Sequence, residues 1–203
     1  MLTLSHGHIL AVYFNATDSE ILAGSRWYDD ARAAAEFMAD RHCVSLSTAA
    51  GVIAALSPNN KWQRNLRDAD ALVQAYVLGG HSDAAQIKVS TYHANKAKAL
   101  AILSGSYPLD VLGGLKVRSF YQCILGDRSA CCIDGHAYSV WRGQYVPTTA
   151  TPKISSKLYQ SICADYQRAA DMISSVMGTN YSASKIQAIT WVVWQRIRQE
   201  ITA

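Results

Sequence analysis

Apolar residues recur at three- and four-residue intervals along nearly all of this 203-residue chain, the spacing of helices that each bury one face. Arg26–His42 places Trp27, Ala31, Ala34, Phe37 and Met38 on one side, with Ser25 positioned to cap it. Ser47–Leu56 is apolar almost all round, so it predicts a buried helix, ended by Pro58. Asn60–Leu78 gathers Leu66, Ala69, Leu72, Val73 and Tyr76 and is expected to stop at Gly79-Gly80. Further helices are expected over Ser90–Leu103, Gly114–Leu125, Gly135–Arg142, Ser155–Met177 and Ser182–Ile201. Gln86–Val89 and Cys131–Ile133 have strand character, but they are too short and too far apart to build a sheet. The expected fold is all-α, with about eight helices in two lobes. It reads as one domain over residues 1–203: a central helical unit at 44–145, with 1–43 and 153–203 folding back as the second lobe.

Half of the residues are hydrophobic, enough for one well-packed core. The net charge of +4 is compatible with a nucleic-acid partner without requiring one. Five cysteines in no C-x-x-C pair argue against a disulfide framework, a zinc ribbon or an iron–sulfur site. Residues 1–16 lack the cationic start and long apolar run of a secretory signal. No stretch approaches the ~20 apolar residues of a membrane span. The expectation is a cytoplasmic monomer with no membrane association. His6-Gly7-His8 offers two imidazoles without a placed third ligand, so a mobile terminus is expected there, and no metal or cofactor.

The stretch richest in chemistry is Cys132-Ile133-Asp134-Gly135-His136-Ala137. An apolar run leads to one aspartate, and a helical pattern starts directly behind it. That puts a carboxylate at the mouth of a helix, where backbone N–H groups can bond to it. Upstream, Leu112-Gly113-Gly114-Leu115-Lys116 supplies a glycine-bearing turn able to meet a phosphate. The combination suggests a protein that grips a nucleic-acid backbone and points one carboxylate at a nucleotide.

Four segments in order carry a resemblance. Val52-Ile53-Ala54-Ala55-Leu56-Ser57-Pro58-Asn59 resembles the apolar helix ending in Leu-Ser-x-Gln of the helix-hairpin-helix (HhH-GPD) DNA glycosylases. Tyr92-His93-Ala94-Asn95-Lys96-Ala97 is similar to their Tyr-x-x-Lys-Ala helix start, with one residue inserted. Leu112–Lys116 falls where their glycine-rich hairpin and following lysine occur. It lacks the proline and one glycine of Leu-Pro-Gly-x-Gly. Ile133-Asp134-Gly135-His136 matches their Val-Asp-x-His. The resemblance spans residues 48–142 and marks a divergent relative.

The resemblance implies a fold like that of the glycosylases and cleavage of the N-glycosidic bond of a damaged or modified base in double-stranded DNA. Asp134 would be the catalytic carboxylate, stabilising the positive charge that builds on the sugar. Lys116 would attack C1′ as an amine in a member that also cleaves the strand. Asn59 would fill the gap left by the flipped base, with Asn60, Lys61 and Trp62 on the same loop. Gly113, Gly114, Arg118 and Lys96 would meet the DNA backbone, and Trp27, Tyr28 and His136 would line the pocket. Each residue also has a plainer reading. Asp134 can be a simple helix cap, Lys116 and Lys96 solvated cations, Asn59-Asn60 a loop and cap, and Trp27-Tyr28 core aromatics. Two other functions share the scaffold: hypermodification of a base, as in virus-type DNA modification, and DNA binding without catalysis.

Overall fold

An apolar helix without a polar face has to be surrounded, and the segment Leu46–Leu56 is: every residue from Ala49 to Leu56 is buried. The structure is a computed structural model that describes residues 5–202. It contains α1 (Ser5–Phe14), α2 (Asp18–His42), α3 (Leu46–Leu56), α4 (Trp62–Gln86), α5 (His93–Leu103), α6 (Pro108–Val111), α7 (Leu115–Ile124), α8 (Gly135–Arg142), α9 (Ser156–Met177) and α10 (Ala183–Thr202). A short 3₁₀ turn lies at Thr148–Ala150. The fold is all-α, with no strand among the described residues. No helix among them is long and apolar enough to cross a membrane.

Among the described residues the helices number ten rather than about eight, and α1 and α6 account for the difference. The α1 segment is apolar on most sides and has no capping signal, so periodicity does not reveal it. The α6 segment is a single turn started by Pro108. His6-Gly7-His8 therefore belongs to a helix and not to a mobile terminus, and His8 Nδ1 bonds the Trp141 carbonyl at 3.1 Å. Helix α2 begins at Asp18, well before Ser25, because Thr17-Asp18-Ser19-Glu20 is a capping box. There the Thr17 N–H donates to Glu20 Oε2 at 2.9 Å, and the Glu20 N–H donates to Thr17 Oγ1 at 3.3 Å. Helix α4 does not stop at Gly79-Gly80. It kinks at Gly80, whose φ of 72° suits glycine, and runs on to Gln86. Helix α5 starts after Tyr92, because the Ser90 N–H donates to Asp68 Oδ2 at 2.7 Å instead of opening the helix.

The chain forms two compact units, and the division falls within α2. One unit is Asp29–Gly126. Its centre is α3, against which α4, α5, α6 and α7 pack. Ser45 caps α3 by accepting from the Thr48 N–H at 3.0 Å. Buried Asn65 of α4 donates to the Ile53 carbonyl at 3.0 Å, and His42 of α2 meets Asp70 of α4 at 2.8 Å.

The other unit joins the residues up to Tyr28 with those from Asp127 onward. Here α1, α8, α9 and α10 pack on one another around Ile9, Ile162, Tyr166, Ile173, Ile186, Ile189 and Val193, all fully buried. Gly24 of α2 lies so close to α10 that a Cβ would collide with the Ile189 backbone. Glu20 adds an ion pair between the same helices, accepting from Arg196 Nε at 2.9 Å. The Arg196 guanidinium, helped by the Thr17 N–H and hydroxyl and opposed by burial, holds the Glu20 carboxyl down at about 2.

Two predictions follow from the α2–α10 contact. Gly24→Ala should lower unfolding stability by about 1–3 kcal/mol in urea titrations, because backbone has to move. Gly7→Ala, with no atom within 4 Å of the new Cβ, should cost nothing or stabilise slightly. Equal effects would show that α2 and α10 do not cross as described. A lowered carboxyl pKa contributes stability above its ordinary value of 4.5 and loses that contribution as pH falls toward 2. The stability advantage of wild type over Glu20→Gln should therefore shrink across that window in acid-unfolding scans. An advantage unchanged over the window would exclude the ion pair.

Candidate functional site

Asp134 is where an irregular segment becomes α8. Its backbone is extended (φ −101°, ψ −174°), and Oδ1 accepts from the Ala137 N–H at 2.8 Å, the N-cap arrangement its sequence position predicts. The approach to it is rigid. The Tyr159 hydroxyl of α9 donates to the Cys131 carbonyl at 2.9 Å and accepts from the Ile133 N–H at 3.0 Å. On the far side, fully buried Tyr166 donates to the Ala137 carbonyl at 3.1 Å. Helix α9 thus holds the backbone on both sides of the carboxylate.

The second oxygen, Oδ2, accepts from Trp191 Nε1 of α10 at 3.2 Å. An ionised carboxylate has about four acceptor directions, so these two bonds fix its orientation and leave others open. Trp191 in turn gathers the predicted pocket residues. Its ring lies 6.2 Å from Trp27 and 6.0 Å from His136, both edge to face. Trp27 packs edge-on against Tyr28 at 4.9 Å, and the Tyr28 hydroxyl donates to Gln187 Oε1 at 2.8 Å. Asp134, His136, Trp27 and Tyr28, identified separately in the sequence, come together in one half-buried cluster. Trp191 and Gln187, one turn apart on α10, complete it. Periodicity places Ile186, Ile189 and Val193 inward but does not show which neighbour the adjoining strip faces.

The remaining candidates lie in the Asp29–Gly126 unit. Gly114, at φ 76° and ψ 142°, is the turn residue opening α7. That positive φ is a backbone conformation that favours glycine. The Arg118 N–H bonds the Gly114 carbonyl at 3.2 Å and closes the first turn of α7. Gly113 is exposed and close to the Lys98 ammonium; Lys116 and Arg118 are exposed on the first turn of α7.

Asn59 is an exposed loop tip with φ 56°, and its amide donates to the Tyr92 hydroxyl at 3.0 Å. Asn60 turns inward and donates to Asp68 Oδ2 at 3.1 Å. Lys61 is exposed at the start of α4, and Trp62 packs edge-on against Phe120 of α7 at 6.3 Å. Trp62 thereby ties the start of α4 to α7. Lys96 is already engaged: its ammonium donates to the Ala85 and Ile87 carbonyls, each at 2.6 Å, and so closes the C-terminus of α4. Among the described residues, no group of three or more His, Cys, Asp or Glu is placed to hold a metal.

A family model described as "Family of unknown function (DUF7178)" matches residues 3–198. The chain belongs to DUF7178. No curated protein and no solved structure matches it. For this DUF7178 chain, function has to be argued from the residues themselves.

The Asp134–Trp191 bond can be tested directly. Trp191→Phe keeps a ring and removes the donor, and Asp134→Ala removes the acceptor. A double-mutant cycle on unfolding free energy should give a coupling of about 1 kcal/mol. Additive effects would mean the indole does not hold the carboxylate.

Proposed function

We propose that this chain flips a nucleotide out of double-stranded DNA and hydrolyses the N-glycosidic bond of a damaged or modified base. Asp134 is the catalytic carboxylate of this reading. One observation carries it: an oriented carboxylate at a helix N-terminus lies within an aromatic cluster of Trp27, Tyr28, His136 and Trp191. Flat, electron-rich rings accept a base removed from its stack, and the carboxylate meets the sugar that carries it. As the C1′–N bond breaks, its electron pair leaves with the base and positive charge builds on the sugar. Asp134 stabilises that charge electrostatically and orients a water whose oxygen bonds to C1′ and whose proton is released.

The Gly113–Gly114 turn, the N-terminus of α7 and Arg118 serve the DNA backbone in this reading. Asn59 and Lys61, exposed at one loop, serve the displaced strand. Lys116 is the weaker part of the proposal as a nucleophile, because it is exposed and lacks the apolar surroundings that activate catalytic lysines. Lys96 serves DNA only if it leaves its two carbonyls. A non-catalytic DNA-binding scaffold is favoured by one fact: both Asp134 oxygens already have structural partners. Hypermodification of a base would use the same carboxylate and cluster and differ in its product.

The deciting experiment is base release from duplexes bearing a panel of lesions and modified bases. Asn caps helices as well as Asp, so Asp134→Asn keeps the acceptor for the Ala137 N–H while removing the charge and the acceptor for Trp191, a loss that Trp191→Phe measures separately. Turnover should fall by about 10²–10⁴-fold with DNA affinity retained. Strand nicking and a borohydride-trapped adduct, both lost in Lys116→Ala, would add the amine route. Salt-sensitive DNA binding with no base release, unchanged in Asp134→Asn, would replace the enzyme by the binding scaffold. An altered base in place of an abasic site would select hypermodification.

A further inference from the structure

Gln187 has no part in the chemistry above, yet it is built into the same cluster. It is 5% exposed on α10, one turn from Trp191. Its Oε1 is occupied by the Tyr28 hydroxyl at 2.8 Å. Its amide nitrogen has no hydrogen-bond partner among the described residues, and it is not one of the sealed unpaired atoms, which are Tyr13 Oη, Asn60 Oδ1, Asn65 Oδ1 and Trp194 Nε1. A deeply buried side chain with an unpaired donor is a group that a ligand can satisfy. The Tyr28 hydroxyl, on a ring held edge-on by Trp27, occupies the amide oxygen and leaves the nitrogen as the remaining donor.

We propose that Gln187 reads the edge of the flipped base, and that the base presents to its Nε2 an oxo group at C4 of a pyrimidine or C6 of a purine. The inference rests on the base-release reading and adds a substrate class to it: uracil-like or hypoxanthine-like bases, rather than cytosine-like or adenine-like ones. The donor faces an acceptor in the first pair. In the second it faces an exocyclic amine, which leaves two donors opposed in a desolvated place. The same N–H helps the reaction. When the C1′–N bond breaks, the electron pair taken by an oxo base delocalises onto its carbonyl oxygen, where the amide donates.

The test uses free bases, so it is independent of turnover. Uracil, hypoxanthine, cytosine and adenine are titrated against the full chain by ligand-observed NMR. Wild type should bind the oxo bases at least tenfold more tightly than their amino counterparts. Gln187→Glu, which exchanges the donor for an acceptor, should abolish or invert that ratio. Tyr28→Phe frees the amide to turn and should bring the ratio toward one while keeping affinity, which a packing role alone would not do. It also carries the test if the buried glutamate unfolds the chain. Equal or reversed preference in wild type, a ratio unchanged in both variants, or no binding of any base at millimolar concentration would each overturn the proposal. Oxo preference that depends on Gln187, with no base release from any duplex, would uphold the base-reading amide and reject the glycosylase chemistry alone.

Discussion

Cys131, Cys132 and Ile133 are buried but lie in no helix, so their backbone groups need partners that regular structure does not supply. The Tyr159 hydroxyl meets this need by donating to one peptide and accepting from another two residues on. The position of Asp134 depends on that bridge. Without it, the chain entering α8 would have to expose the segment or leave polar groups unpaired, and the carboxylate would lose its fixed approach. The bridge also explains why a strand-like run occurs in an all-helical protein. Tied down by Tyr159, the run leads without regular structure into a helix cap.

Helix α10 combines support and site on adjoining strips. Ile186, Ile189 and Val193 are fully buried in the core, while Gln187 and Trp191, on the adjoining strip, face Tyr28 and Asp134. The axial rotation of α10 is therefore set by apolar packing, and the polar contacts inherit it. Gly24 and the Glu20–Arg196 pair fix where the start of α2 crosses this helix. Trp27 and Tyr28, one and two residues after Arg26 on the same helix, are carried to the cluster by that crossing. A small shift of α2 would alter the cluster without touching any of its residues.

Much of this was legible in the sequence, for physical reasons that differ by element. The burial of α3 follows from having no polar face, and the cap at Asp134 follows from a carboxylate placed between an apolar run and a helical pattern. The start of α2 was also written there, in Thr17 and Glu20, but a helix beginning at Arg26 already satisfied the periodicity. Helices α1 and α6 carried too little pattern, one because it is apolar on most sides and the other because it is one turn long. At Gly80, local conformation allows either a stop or a kink, and only packing decides. Trp191 and Gln187 were illegible because their partners lie 57 and 159 residues away.

The two bonds to Asp134 look at first like an argument against chemistry, since a capping carboxylate already contributes about 1 kcal/mol of stability. The two roles are compatible because they draw on different properties. Capping needs an acceptor atom, which asparagine also supplies. Stabilising a developing cation needs net charge, held still, in surroundings less polar than water. The Ala137 N–H and the Trp191 indole hold the group still, and the rings of Trp27, Trp191 and His136 displace water beside it. A cap alone requires neither the indole donor nor the aromatic wall. Those two features, more than the cap, are what the proposed catalytic role of Asp134 rests on.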